Sequence, residues 1–138
     1  MNKIAADGGR VRTEMSGKKQ RVVVVGASPS PGRYSNEAVQ LLIRHGHEVV
    51  PINPHARTIE GLPVLPDLAE VCGPVDTVTL YVSAKISSTL TTALKELQPG
   101  RVIFNPGAEN PALCQSLAEQ GIPTENACTL VLLNTHQF

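Results

Sequence analysis

Residues 22–25 are four consecutive valines that run directly into Gly26. A β-branched run without polar alternation is the pattern of a strand covered on both faces, which places it inside a parallel sheet. The glycine at its carboxyl end lets the backbone turn sharply and lets a ligand come close. Ala27 and Ser28 follow, then a proline-rich stretch closed by Gly32. The run therefore predicts the head of a βαβ unit whose turn is suited to an anion of phosphate type.

Strand and helix signals alternate from there with little slack. The expected strands are 21–26, 48–52, 77–82, 101–104 and 122–124. A helix is expected to start near Tyr34 or Ser35 with Ser35 as its N-cap; Ala38, Leu41, Leu42 and His45 share one face and Gly46 stops it. Asp67 with Glu70 resembles a capping box for a brief helix. Leu90, Ala93, Leu94 and Leu97 recur at helical spacing, and Asn110 before Pro111 reads as a cap followed by proline at the first helical position. The apolar segment 129–133 is expected to form a turn or helix. This alternation implies an α/β fold: a single Rossmann-like domain over 20–138, with a five-stranded parallel sheet in the order 3-2-1-4-5 and helices on both faces. In that order a crevice opens between strands one and four, so the turns 26–33 and 105–107 are expected to face each other. Residues 1–19 read as a flexible polar tail.

Composition removes several classes of function. Twelve basic side chains balance twelve acidic ones, for a net charge of +0, so no basic field awaits nucleic acid. Two Tyr, two Phe and no Trp offer little for base stacking. No apolar stretch is long enough for a bilayer, and the first twenty residues lack the apolar core of a secretion signal. Cys72, Cys114 and Cys128 are an odd count without metal-ligand spacing, as expected of reduced thiols. A cytoplasmic protein is expected, with no nucleic-acid, membrane or metal partner.

The ligand question turns on two departures from a dinucleotide fingerprint. The glycine after Gly26 is Gly32, so G-x-G-x-x-G is absent. The end of the second strand reads Ile52, Asn53, Pro54, His55, with Arg57 beyond, where dinucleotide folds carry an acid for the ribose hydroxyls. A neutral amide followed by cations disfavours NAD and suits a 3′-phospho-ADP moiety or NADP. Ser28 and the backbone N–H groups of the turn would face a diphosphate, aided by the following helix dipole and by Arg33. Tyr81, Val82 and Ser83 would line an adenine pocket, and Asn105, Pro106 and Gly107 form a tight turn nearby. Each group also has a plain reading, as a strand-to-helix connection, a solvated loop (His55, Arg57) or a strand end. Glu109 and Glu125 read as local charges rather than a catalytic pair, and His45, His47 and His136 as surface or packing residues. Cys128 stands between a buried structural thiol and a reactive one beside the ligand.

In these residues the chain resembles small stand-alone bacterial CoA-binding domain proteins, relatives of the CoA-binding domain of the succinyl-CoA synthetase alpha subunit. The resemblance rests on Val22 through Ser28 (VVVVGAS), on Gly46 through Pro54 (GHEVVPINP), and on Ile59, Glu60 and Gly61. It continues through the segment 76–81, through Phe104, Asn105, Pro106 and Gly107, and through Ala127, Cys128, Thr129 and Leu130, covering 20–138. It implies binding of CoA through the 3′-phospho-ADP half. Gly26, Ala27, Ser28 and Arg33 would then meet the diphosphate. Asn53, Pro54 and His55, with Tyr81, Val82 and Ser83, would meet the adenosine and its 3′-phosphate, and Asn105, Pro106 and Gly107 would line the pantetheine. The family often carries lysine or arginine where His55 stands, which puts the strength of 3′-phosphate binding in question.

The expected function is non-catalytic binding of CoA or acyl-CoA as a sensor, carrier or accessory module, alone, as a homodimer or beside a partner enzyme. Two alternatives stand beside it: an NADP-binding oxidoreductase or oxidoreductase subunit, for which Tyr81 is the obvious proton donor, and an interaction subunit with a vestigial crevice.

Overall fold

A computed structural model describes residues 17–138; most of the expected tail, residues 1–16, lies outside the described residues. Strand β1 (Arg21–Val25) is followed by helix α1 (Tyr34–Arg44) and strand β2 (Glu48–Ile52). A small hairpin, β3 (Thr58–Ile59) and β4 (Leu62–Pro63), precedes a 3₁₀ turn at Leu68–Glu70 and strand β5 (Thr77–Leu80). Then come α2 (Ala84–Ser87), a 3₁₀ turn (Ser88–Leu90), α3 (Thr91–Leu97), β6 (Arg101–Phe104), α4 (Pro111–Ala118), β7 (Thr124–Asn126) and α5 (Thr129–Asn134).

Burial explains why the valine run sits where it does. Val22, Val23 and Val24 are completely buried. Their side chains alternate between two cores, as the twofold repeat of a strand requires. Val23 and Val25 join Val78, Leu80, Val102, Phe104, Leu94, Leu113 and Leu117 on one face. Val22 and Val24 join Ile103, Val39, Leu42, Leu132 and Leu133 on the other. Helices α3 and α4 thus cover one face, and α1 and α5 the other. Removing that much apolar surface from water on both sides is what holds the central strand.

The expected class and architecture are present: a five-stranded, all-parallel sheet in the order β2-β1-β5-β6-β7. The order reads 3-2-1-4-5 with one reassignment. The third place, beyond β2, is a single parallel rung at Leu65, where Leu65 N–H donates to Pro51 O (3.1 Å) and Asn53 N–H to Leu65 O (3.1 Å). Segment 77–80 takes the fourth place, directly beside β1, segment 101–104 the fifth, and β7 follows beyond it as a sixth. Counting strands along the chain missed a rung too short to show a hydrophobic run. The expected opposition of turns 26–33 and 105–107 is accordingly corrected, because β5 lies between them.

Smaller corrections follow from hydrogen bonding. Arg33, extended at φ −77° and ψ 141°, occupies the N-cap of α1; Ser35 is buried inside the first turn. The last strand begins at Thr124, two residues later than expected, because Val102 pairs with Thr124 while Ile122 turns into the core. Asp67 Oδ1 accepts Ala69 N–H (3.1 Å), but what it caps is a 3₁₀ turn.

Candidate functional site

The carboxyl ends of β1, β2, β5 and β6 carry the residues singled out in the sequence. Gly26 has φ +82°, and a Cβ built there would stand 2.8 Å from Val82 Cγ1 and 2.9 Å from the Tyr81 carbonyl oxygen. No other residue type fits without moving backbone. The turn is thus pressed against 81–83, not 105–107.

Two asparagines fix this corner, and only one of them was found from sequence. Asn53 donates from Nδ2 to Ala27 O (2.8 Å), while its Oδ1 accepts the N–H groups of His55 (2.7 Å) and Ala56 (2.8 Å). Its amide is therefore committed to tying the β1 corner to the loop after β2. Asn36, fully buried in α1, donates from Nδ2 to Ser28 O (2.9 Å) and to Glu60 Oε2 (3.0 Å), and its Oδ1 accepts Gln40 Nε2 (2.7 Å). Glu60 reaches that point from a left-handed backbone, φ 51°. No sequence pattern marks Asn36; only the fold brings it to Ser28 O and Glu60.

The start of α1 is left open. No side chain caps it; Ser28 Oγ accepts Ser30 N–H (3.0 Å), which leaves the hydroxyl hydrogen to a ligand, and Arg33 is exposed at the same corner. The first N–H groups of a helix carry partial positive charge, so an open N-terminus beside a guanidinium favours an anion. Pro54, His55 and Arg57 are exposed on the neighbouring loop.

The next corners are closed. Ser83 caps α2 by accepting Ile86 N–H (3.4 Å). Asn105 is buried: Nδ2 donates to Thr79 Oγ1 (2.6 Å) and Leu80 O (2.9 Å), and Oδ1 accepts Thr129 N–H (2.9 Å). The Gly107 N–H is held by both carboxylate oxygens of Glu109 (3.0 and 3.2 Å). Glu109 therefore closes a turn. Beside these residues lies a mainly apolar cavity of about 390 Å³, lined by Tyr34, Tyr81, Asn105, Pro106, Cys128, Leu130 and Val131. Burial pushes the Tyr81 phenol far above its ordinary range, so the ring stays neutral. Its hydroxyl is enclosed without a well-formed hydrogen bond, near the Thr79–Thr129 hydroxyl pair. Cys128, half-buried, is a free thiol on the wall of this cavity.

Residues 20–134 match the model of the CoA binding domain. The chain belongs to this family. A CoA binding domain of this kind is 29% identical over 111 residues to the uncharacterized protein YneT of Bacillus subtilis (strain 168), covering 78% of this chain and 80% of YneT. A crystal structure of an uncharacterized protein aligns at 36% identity and TM-score 0.84, over 88% of this chain and 99% of the other. An acetyl-coenzyme A synthetase of Ca. Korarchaeum cryptofilum, solved with phosphate and ADP, shares the fold at TM-score 0.70 and 21% identity, over 83% of this chain and 27% of that one. Among the described residues no helix is long and apolar enough to cross a membrane.

Proposed function

We propose that this chain binds CoA or acyl-CoA through the 3′-phospho-ADP half, without catalysing a reaction of its own, as a sensor, carrier or accessory module in the cytoplasm. The observation that carries the reading is the Gly26 corner: a backbone approach with no room for a side chain, beside a helix start that no side chain caps. A diphosphate there meets the N–H groups at the start of α1, the Ser28 hydroxyl and Arg33, while Ala27 holds the turn through its bond to Asn53. Pro54 and His55 flank the 3′-phosphate, with Asn53 setting their loop. Tyr81, Val82 and Ser83 receive the adenine side. The pantetheine arm runs past Asn105, Pro106 and Gly107 into the apolar cavity, whose volume falls in the range of small-molecule sites.

The absence of catalysis rests on chemistry. The Tyr81 phenol, held neutral by burial, is a poor proton donor, and Glu109 is spent on a turn. Thermal melting with CoA, dephospho-CoA and NAD tests the proposal, because a ligand that binds only the folded state raises Tm. CoA is expected to give the largest rise. Equal rises with CoA and dephospho-CoA would remove the 3′-phosphate contacts, and no rise with any of the three would remove the CoA reading.

A further inference from the structure

The apolar cavity of about 390 Å³ lies between the starts of α1 and α5, at the carboxyl ends of β5 and β6. Tyr34, on its rim, follows Arg33 directly, so the cavity adjoins the open anion corner. Four large hydrophobic side chains are exposed among the described residues, and two of them, Tyr34 (73%) and Val131 (55%), border this cavity. A single exposed apolar side chain needs no explanation. Two at the mouth of one apolar cavity mark a surface that a ligand covers.

The lining also says what such a ligand lacks. Among the described residues neither a basic nor a carboxylate side chain borders the cavity. Asn105 commits both amide protons, to Thr79 Oγ1 and to Leu80 O. The Tyr81 hydroxyl is enclosed, and Leu130 and Val131 offer only hydrocarbon side chains. A carboxylate buried here would find no side-chain cation to pair with, which makes its desolvation costly. Burial raises the pKa of the Tyr81 phenol, and the charge of Glu37 pushes it the same way. A further negative charge beside that ring meets repulsion, whereas a hydrocarbon gains by leaving water.

We propose that this cavity receives the acyl group of a CoA thioester and selects a short, uncharged aliphatic acyl group over one that ends in a carboxylate. This inference rests on the CoA reading of the Gly26 corner. The arm passes Pro106 on its way in, and the acyl chain lies against Tyr34, Tyr81, Leu130 and Val131. Full burial of a methylene strengthens binding by up to about fourfold. Affinity for successive thioesters therefore grows with chain length until the cavity is full.

The experiment is calorimetric titration of the full chain with CoA, acetyl-CoA, butyryl-CoA and succinyl-CoA. Butyryl and succinyl groups are equally long and differ at the far end, methyl against carboxylate. Butyryl-CoA is expected to bind at least about fivefold more tightly than CoA, with acetyl-CoA between them and succinyl-CoA no tighter than CoA. Val131→Lys places an ammonium at an exposed position on the rim. It should reverse the preference, so that succinyl-CoA binds more tightly than butyryl-CoA.

Butyryl-CoA bound no better than CoA would mean that the arm alone fills the cavity. That result overturns this inference and leaves the CoA reading in place. Succinyl-CoA bound as tightly as butyryl-CoA by the parent, or an unchanged preference in Val131→Lys, overturns it as well. Failure of all these compounds to bind removes the CoA reading and this inference together.

Discussion

Two corners of the sheet begin from the same local recipe and end in opposite states. After β1 and after β6 the chain turns through a glycine with positive φ, +82° at Gly26 and +91° at Gly107, and enters a helix. At the β6 corner the chain supplies its own caps: Glu109 holds the Gly107 N–H, and Asn110 Oδ1 accepts Leu113 N–H (3.1 Å) with Pro111 at the first helical position. At the β1 corner the helix start has no side-chain cap, with Arg33 exposed at the N-cap and Glu37 in the first turn. An uncapped helix start of this kind suits an anion.

The sharpest way to break this comparison is to add one methyl group at each corner. Gly26→Ala places a Cβ against the Tyr81 carbonyl and Val82, in addition to the left-handed strain. A loss of stability of about 3 kcal/mol and of measurable CoA binding is expected. Gly107→Ala meets nothing within 4 Å, so only the backbone strain remains, about 1–2 kcal/mol, with a far smaller loss of CoA affinity than at Gly26. Denaturant unfolding together with calorimetric titration of both variants reads this directly. Equal damage to binding at the two sites would end the assignment of the open corner.

Capping residues and cations should separate next. Asn110 is buried, and its Nδ2 also donates to Ala84 O, Ser87 Oγ and Ser88 Oγ (3.2, 2.8 and 3.0 Å). Asn110→Ala is expected to cost about 2 kcal/mol in urea unfolding, with CoA affinity unchanged. Arg33→Ala should do the reverse. Stability holds, while CoA affinity falls by about tenfold and becomes less sensitive to salt. An Arg33→Ala variant that binds CoA as tightly as the parent would remove the guanidinium from the diphosphate site.

How much of this was legible beforehand depends on whether a feature is written in one stretch of sequence. The valine run, the Asn110–Pro111 cap and the alternation of elements are local, and the structure keeps them. The third place in the sheet is a single rung at Leu65, with no run to announce it. Asn53 was singled out from its place after β2, but its bonds to Ala27, His55 and Ala56 show that it orients the corner. Asn36 was missed because a buried amide in an amphipathic helix carries no pattern; only the fold brings it to Ser28 O and Glu60. His136 lies far along the chain from His45 and His47, and their meeting depends on where α5 ends.

The smallest expected effect lies at the amino end of the sheet and concerns His47. Its pKa is lowered, first by burial and then by the charges of His45 and Arg101, with Asp76 opposing. The folded protein therefore holds this proton less readily than the unfolded chain. Below the ordinary imidazole pKa of about 6.5 the unfolded state binds more protons, so stability rises with pH there. The contribution is fully present above about pH 6.5 and declines as the solution is made more acidic, until the folded form also takes up its proton. His47 is only half-buried, so the effect on Tm should be modest. His47→Asn keeps an acceptor for Gln20 N–H where Nδ1 stands and removes the titration. Its Tm should fall less than the parent's between about pH 7 and 5. Parallel Tm curves for the two proteins would remove His47 as a source of the acid sensitivity of the fold.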